Sequence, residues 1–214
     1  MPSTIYLLRH AESAHNISKD FSHHDPPLTT LGQTQASQLT DTFPHPEQIA
    51  VIVTSPLRRA IQTALAGFSH VLDQRYYEPG TGLGVENGVR LVLDAGLQER
   101  SGFPCDTGSE NEILASEFRG LDFGVLREGW QRKEGENSVG DEAVALRAES
   151  ARKRLGELVG SVEGKDVVVV THGVFMKFLS GEEGIDLPKA GWRGYRVEDG
   201  GEAKVRFVPV GEES

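Results

Sequence analysis

Short runs of aliphatic residues recur along the chain, and helix-like segments separate them. Four of the runs are almost continuous in Val, Ile and Leu, at 4–10, 48–55, 89–99 and 165–173. Such runs are typical of strands that helices cover on both faces, which is the environment of a parallel sheet. The alternation predicts one α/β domain over 1–214, built as a three-layer sandwich with a mostly parallel central sheet flanked by helices.

The last two strand-like segments have a different pattern. Residues 192–199 and 203–210 alternate more regularly between apolar and polar residues, and Asp199-Gly200-Gly201 lies between them. Asp-Gly turns between alternating segments are a strong signal for a β-hairpin. We therefore expect the sheet to end in an antiparallel pair.

Helical periodicity and capping residues mark four further segments, at 29–43, 55–68, 109–118 and 141–159. Ser55 is predicted to be the N-cap of the second, with Pro56 at its first helical position. Thr30 and Ser109 are predicted to open capping boxes in the first and third.

Two segments are irregular. Residues 76–90 are rich in glycine and read as a loop, and residues 119–140 lack a regular pattern. Long irregular segments in compact domains often carry function. Segment 100–140 is predicted to be a lid or specificity segment, and specificity is expected to come from it and from 76–90.

Bulk properties exclude several classes of partner. The net charge of −10 argues against nucleic-acid and anionic-membrane partners, and no run approaches the roughly 20 apolar residues that span a bilayer. The single Cys105 excludes an intrachain disulfide and fits a reducing compartment. The opening "MPSTIYLLRH" lacks the pattern of a signal peptide. We expect a cytoplasmic protein, monomeric or homodimeric.

Chemically active residues follow four of the predicted strands. They are Arg9 and His10 after the first, Ser55 with Arg58 and Arg59 after the second, Glu99 after the third, and His172 with Gly173 after the fourth. Ligands bind at the carboxyl ends of parallel strands, where these residues would meet. A helical wheel of 55–68 places Arg59 opposite the apolar stripe and Arg58 on its flank, so we expect both to lie outside the core.

This combination of residue types suits phosphoryl transfer through a covalent intermediate. A neutral imidazole can attack phosphorus, and arginines can stabilise the charge on the transferring oxygens. Gly173 is predicted to begin a helix whose free amides face an anion. Glu99 is a candidate to protonate the leaving group.

The segment "LLRHAES" resembles the strand-end R-H-G motif of the histidine phosphatase superfamily, also called phosphoglycerate-mutase-like, with Ala11 in place of the usual Gly. "DPPLTTLGQTQA", "TSPLRRAIQTA", "LQE" and "VVVVTHG" resemble further blocks of that family. The five blocks occur in family order from residue 5 to about 180.

The resemblance implies a role for each matching residue. His10 would be the phosphorylated nucleophile, Arg9, Arg59 and His172 would form the phosphate pocket, and Asn16 would contact the phosphoryl group or substrate. Glu99 would be the proton donor. The implied activity is that of a metal-independent phosphomonoesterase, with no cofactor, that acts on small phosphorylated metabolites and releases inorganic phosphate.

Departures from the family pattern leave alternatives open. The segment that begins with "LQE" at 97–99 lacks the aromatic-Gly continuation found in the mutases. Asp106 is therefore a second candidate for the proton donor. Val174 stands where mutases have a polar residue, and the chain lacks room for their insertions. These features favour hydrolysis over a phosphoglycerate-type mutase. The third alternative is a non-catalytic member of the family that binds phosphorylated ligands.

An alternative enzymatic interpretation of the sequence is a metal site. His10, Glu12 and His15 lie close in sequence, and His23, His24 and Asp25 follow shortly after. The H-x-E-x-x-H spacing differs from the H-E-x-x-H spacing that directs two imidazoles of one helix at zinc. We expect 23–25 to belong to a surface loop or to the rim of the site.

Overall fold

The computed structural model describes residues 3–201 and 204–213, and its centre is a six-stranded sheet. The strands are β1 (Ile5–Arg9), β2 (Ile49–Thr54), β3 (Arg90–Leu93), β4 (Asp166–Thr171), β5 (Trp192–Asp199) and β6 (Val205–Glu213). Their spatial order is β3-β2-β4-β1-β5-β6. The first four run parallel, whereas β5 pairs antiparallel with β1 and β6 antiparallel with β5.

Seven α-helices surround or connect these strands in the described part of the chain. They are α1 (Ala14–Ser18), α2 (Thr30–Ser37), α3 (Leu39–Thr42), α4 (Arg58–Gly67), α5 (Asn111–Glu117), α6 (Asp141–Ser161) and α7 (Gly173–Ser180). The sequence analysis predicted all six strands, and it placed helices in the regions of α2 to α7. None of the helices that the structure describes is both long and apolar enough to cross a membrane.

The two faces of the sheet bury alternate residues of the same strands. In β4, Val168 and Val170 belong to one core cluster with residues of α2 and α4, whereas Val167 and Val169 belong to another with residues of α6 and α7. The side chains of a strand point to opposite faces in turn, so a run of valines contributes to two cores. The predicted three-layer α/β architecture is confirmed.

The predicted helix starts were wrong at three places. Thr29 is the N-cap of α2, and its hydroxyl accepts a hydrogen bond from the amide of Gly32. Glu110 is the N-cap of α5, because the hydroxyl of Ser109 instead accepts a hydrogen bond from Arg58. For Ser109, a side chain from another element thus binds the hydroxyl that was expected to cap the helix.

The start of α4 differs because of the neighbouring strand. Its N-cap is Leu57, so Ser55 and Pro56 lie before the helix. The amide of Ser55 donates to the carbonyl of Val170 on β4, and its hydroxyl contacts His172. These bonds hold Ser55 at the strand edge rather than at the helix end.

The segment 100–140 has its own small core. Leu114, Phe118, Phe123, Leu126 and Trp130 pack together in a third cluster that also includes residues of α4. Trp130 is buried there and donates to Asn111, whereas Arg127 is exposed. A packed interior explains how this irregular segment keeps its shape. Its behaviour as a lid stays a prediction.

Candidate active site

The carboxyl ends of β1, β2 and β4 open on a cavity of about 400 Å³. The predicted site residues that line it are Arg9, His10, Asn16, Arg59, Glu99, Gly173 and the rival acid Asp106. The topology explains this convergence, because parallel strands end at the same edge of the sheet. No residue of 76–90 is among those lining the cavity, and a contribution of that loop to specificity stays a prediction.

His10 is a buried, neutral imidazole at the end of β1. Its Nδ1–H donates to the carbonyl oxygen of Ala11 over 2.7 Å, and its Nε2 accepts a hydrogen bond from Nε of Arg59 over 3.2 Å. Burial, together with the Arg59 guanidinium, lowers the pKa of His10 well below its usual range. The ring is therefore held in one tautomer with a lone pair on Nε2, which is the form that a nucleophile needs.

Arg59 is fully buried at the base of the cavity, contrary to the expectation that it lies outside the core. Its Nη1 donates to the carbonyl oxygen of Cys105 over 2.6 Å, and its Nη2 donates to Asp106 Oδ1 over 2.8 Å. Nη2 also lies 3.1 Å from Nδ1 of His172. The helical wheel was wrong because these polar partners come from other elements and replace water around the guanidinium.

His172 lies beside His10, with 5.1 Å between the ring centroids, but it does not line the cavity. Its Nδ1 accepts from Arg59, and its Nε2–H donates to the hydroxyl of Ser55 over 2.8 Å. Burial and the Arg59 charge lower the pKa of His172 well below its usual range. The structure thus places His172 where it orients Arg59, and direct contact with phosphate stays a prediction.

Arg9 lies against the start of α7. Its Nη1 donates to Asp186 Oδ1 over 3.0 Å and to the carbonyl oxygen of Leu187, while its buried Nε has no hydrogen-bond partner within 3–201 and 204–213. A Cβ at Gly173 would lie 3.0 Å from that Nε. A side chain at position 173 would therefore push the Arg9 guanidinium away from the start of α7.

The carboxylate of Glu99 caps α7. It accepts hydrogen bonds from the amides of Arg100, Val174 and Phe175 at 2.7 to 3.1 Å. The expectation of several free amides at this helix terminus was therefore wrong for Val174 and Phe175. A carboxylate at a helix N-terminus satisfies otherwise unpaired donors and complements the helix dipole.

Asp106 is the second carboxylate in the cavity. Its Oδ1 pairs with Arg59, and its Oδ2 accepts from the hydroxyl of Ser101 over 2.6 Å. Asp106 thus contacts a side chain at the base of the site, whereas Glu99 contacts only backbone amides. Both carboxylates line the cavity, and the choice of proton donor between them stays a prediction.

Asn16 lies at the edge of the cavity and holds His15. Its Nδ2 donates to His15 Nε2 over 2.9 Å, and the Nδ1–H of His15 donates to Ser13 Oγ over 2.8 Å. Burial lowers the pKa of His15 to about 4. Asn16 therefore fixes a neutral imidazole beside His10, and its predicted contact with substrate stays a prediction.

Of the candidate metal ligands from the sequence, His10 and His15 line the cavity, whereas those at 23–25 do not. His23 and His24 are exposed as expected, but Asp25 is fully buried, which corrects the prediction of a surface or rim position. Its oxygens accept from the amides of Arg58 and Ser109 at 3.0 Å. The Asp25 carboxylate therefore ties α4 to the segment before α5.

Ligand atoms of His15, Cys105 and Asp106 lie within 4.8 Å of one another. Both nitrogens of His15 and both oxygens of Asp106 already form hydrogen bonds with the protein. Burial raises the pKa of the Cys105 thiol to about 12, which disfavours the thiolate that metals prefer.

Residues 5–208 match the model of the histidine phosphatase superfamily (branch 1). The chain belongs to this superfamily. The predicted family and its enzyme class, a phosphatase-type hydrolase, are confirmed.

Among the relatives of this superfamily member, a protein of Schizosaccharomyces pombe named "Probable phosphatase" is 29% identical, over 87% of this chain and 83% of the relative. Phosphoglycerate mutase-like protein 1 of Arabidopsis thaliana is 26% identical, and the match covers 81% of this chain and 69% of the relative. Phosphoserine phosphatase of Entamoeba histolytica, solved with 3-phosphoglyceric acid, has a similar fold, with a TM-score of 0.58, 19% identity and coverage of 99% and 97%.

The sequence analysis of this histidine phosphatase missed several residues of the site. Phe21 and Phe103 stack at the cavity with 5.5 Å between their centroids, and Lys177 and Lys189 also line it. Lys133 lies behind Glu99 and donates to its carbonyl oxygen over 2.9 Å and to Gln98 over 2.7 Å. Lys177 is one turn after Gly173, and that spacing was a usable signal. Nothing in the sequence marks the others.

Proposed function

We propose that this chain is a metal-independent phosphomonoesterase that acts on small phosphorylated metabolites through phospho-His10. One observation carries the proposal. His10 lines the cavity, and its unprotonated Nε2 accepts a hydrogen bond from Arg59 Nε over 3.2 Å, with the tautomer fixed by Ala11. A binding protein has no need of an imidazole that is held neutral beside a guanidinium.

The first chemical step transfers the phosphoryl group to the enzyme. His10 Nε2 attacks phosphorus and forms an N–P bond, while the bond between phosphorus and the alcohol oxygen breaks. Arg9 and Arg59 stabilise the charge on the phosphoryl oxygens, and Glu99 or Asp106 gives its proton to the departing alkoxide. The products of this step are the free alcohol and phospho-His10.

The second step returns the enzyme to its starting form. A water molecule attacks phosphorus, and the carboxylate that lost its proton takes one from this water. The N–P bond breaks, the electron pair returns to His10 Nε2, and inorganic phosphate leaves. The charge stabilisation in both steps comes from arginine side chains, so the proposed reaction proceeds without a metal ion.

The decisive experiment combines turnover of p-nitrophenyl phosphate with trapping of the phosphoenzyme. We expect turnover that EDTA does not affect and that vanadate blocks, and a covalent label that is stable in base and labile in acid. His10→Ala is expected to abolish turnover and label together, whereas His24→Ala, at an exposed position, serves as the matched control. Activity lost with EDTA, or a label retained in His10→Ala, would contradict the proposal.

A further inference from the structure

The backbone leaves the sheet directly after His10. The amide of His10 donates to the carbonyl oxygen of Thr171 over 2.9 Å, whereas residues 10–12 belong to no helix or strand. Ala11 is fully buried, and Glu12 is half-buried. Amide groups that are removed from water need a hydrogen-bond partner, so those of Ala11 and Glu12 must find one outside the sheet.

Side chains of two helices supply these partners. Oγ1 of Thr63 on α4 accepts a hydrogen bond from the amide of Ala11 over 3.0 Å. Oε1 of Gln35 on α2 accepts one from the amide of Glu12, also over 3.0 Å. Neither Thr63 nor Gln35 is among the residues that line the cavity, so their effect on the site passes through the backbone.

The peptide group between Ala11 and Glu12 is held at both ends. Its carbonyl oxygen accepts from Nδ1–H of His10 over 2.7 Å, and its N–H donates to Gln35. The C=O and N–H of a trans peptide point in opposite directions, so the bond to Gln35 fixes the direction of the carbonyl. Hydrogen bonds at the two ends of one peptide also polarise each other, which makes this carbonyl a stronger acceptor.

The hydroxyl of Thr63 closes a ring of hydrogen bonds around His10. On one side of the imidazole, Nδ1–H donates to Ala11, whose amide donates to Thr63. Thr63 donates to the carbonyl oxygen of Arg59 over 2.6 Å, and Nε of that arginine donates to Nε2 of the imidazole over 3.2 Å. One connected network therefore holds both nitrogens of the imidazole, and Thr63 links its two halves.

The bond to Ala11 gains importance when His10 reacts. In the proposed first step, the lone pair of Nε2 forms the N–P bond and can no longer accept from Arg59. The ring takes on positive charge at the same time, and Nδ1–H becomes a stronger donor. An acceptor that is already in place stabilises this charge without reorganisation, so the position of the Ala11 carbonyl affects the rate.

We infer that Gln35 and Thr63 are positioning residues, which fix the two peptide groups flanking Ala11 so that its carbonyl oxygen orients His10 and stabilises the charge of the imidazole during phosphoryl transfer. This inference rests on the proposed phosphatase function. The competing interpretation is that both hydrogen bonds only stabilise the fold around the end of β1.

Three substitutions test this role in turnover. Thr63→Val keeps the shape of the side chain and removes its hydroxyl, and Gln35→Met removes the acceptor at a half-buried position. We expect each to lower kcat on p-nitrophenyl phosphate by about 10- to 10²-fold with little change in KM, because the contacts with bound phosphate stay in place. Thr63→Ser retains the hydroxyl and is expected to keep most of the wild-type kcat.

The proton resonance of His10 Nδ1–H gives a readout that does not depend on turnover. It is assigned as the downfield imidazole signal that is missing in His10→Asn. We expect it to move upfield and to exchange faster with solvent in Thr63→Val and Gln35→Met, because the bond to Ala11 weakens. Thr40→Val is the matched control: its hydroxyl donates to the carbonyl oxygen of Gly67 at the other end of α4, and it should change neither the resonance nor kcat.

The outcomes separate this inference from the proposed function. If Thr63→Val and Gln35→Met lose stability in urea but keep kcat and the resonance, the positioning role is wrong and the phosphatase function stands. The role is equally wrong if Thr63→Ser loses as much activity as Thr63→Val. Should Thr63→Val fail to fold, Gln35→Met decides by the same two readouts. A wild type that is inactive and forms no phosphoenzyme overturns both the function and the role.

Discussion

Nε of Arg59 lies 3.2 Å from Nε2 of His10 and donates a hydrogen bond to it, although Arg59 itself has no solvent exposure. The same guanidinium donates to Cys105 and Asp106. One side chain thus links the imidazole at the end of β1 to the segment 100–140. This pairing orients His10, and burial together with the guanidinium charge lowers the pKa of its imidazole.

The first prediction concerns Arg59→Lys. An ammonium group cannot reproduce the three directions in which the guanidinium donates, so we expect kcat/KM to fall by about 10²- to 10³-fold. Steady-state kinetics on p-nitrophenyl phosphate measure this effect. Arg58→Lys is the matched control because Arg58 pairs with Asp25 and Glu117 and does not line the cavity. Equal losses in the two variants would contradict the assignment of Arg59.

The second prediction concerns stability at acid pH. The folded-state pKa values of His10, His15 and His172 are all lowered by burial and by Arg59, whereas the unfolded chain takes up these protons near pH 6.5. The unfolded state therefore binds more protons below pH 6.5, and the free energy of unfolding falls as the pH decreases. The slope from each of these histidines is small at pH 7.5 and approaches at most about 1.4 kcal/mol per pH unit below pH 6.5, while the folded histidine is still neutral.

Urea denaturation at several pH values between 7.5 and 5 measures that slope. His10→Asn removes one of the three contributions and is expected to make the slope shallower. His23→Asn alters an exposed histidine and is expected to leave it unchanged. A slope unaffected by His10→Asn would show that His10 is not held neutral by folding.

The third prediction separates the two candidate proton donors. If Glu99 protonates the leaving group, Glu99→Gln will slow alkyl phosphates by about 10²-fold or more while sparing p-nitrophenyl phosphate, whose leaving group needs no proton. The amide also caps α7 less well, and we expect about 1 kcal/mol of destabilisation. Asp106→Asn is the comparison. If Asp106→Asn slows alkyl phosphates selectively while Glu99→Gln slows alkyl phosphates and p-nitrophenyl phosphate equally, Asp106 is the proton donor.

The fourth prediction concerns Gly173→Ala. The added Cβ would lie about 3.0 to 3.1 Å from three atoms of the Arg9 guanidinium and displace it. We expect kcat/KM to fall by about tenfold or more, because a misplaced binding group weakens transition-state contacts. Gly160→Ala on α6 is the control, since its Cβ would meet nothing within 4 Å, and it should raise stability slightly. Unchanged activity in Gly173→Ala would argue against this role of the glycine.

Much of the fold was predictable from local patterns. A run such as Val167–Val170 is apolar at every position, as expected of a strand covered on both faces, and all four residues are buried. The antiparallel end of the sheet followed from the turn at Asp199. Helix boundaries were less predictable because capping groups such as Ser55 and Ser109 found partners in other elements.

The sequence by itself determined the α/β class and the edge of the sheet at which Arg9, His10 and His172 lie, because periodicity and strand ends are local properties. Only the tertiary structure decided that Arg59 and Asp25 are buried, that Glu99 caps α7, and that Lys177 and Lys189 share the cavity with His10. The physical reason is that desolvation and charge pairing depend on atoms far apart along the chain. No window of neighbouring residues contains them.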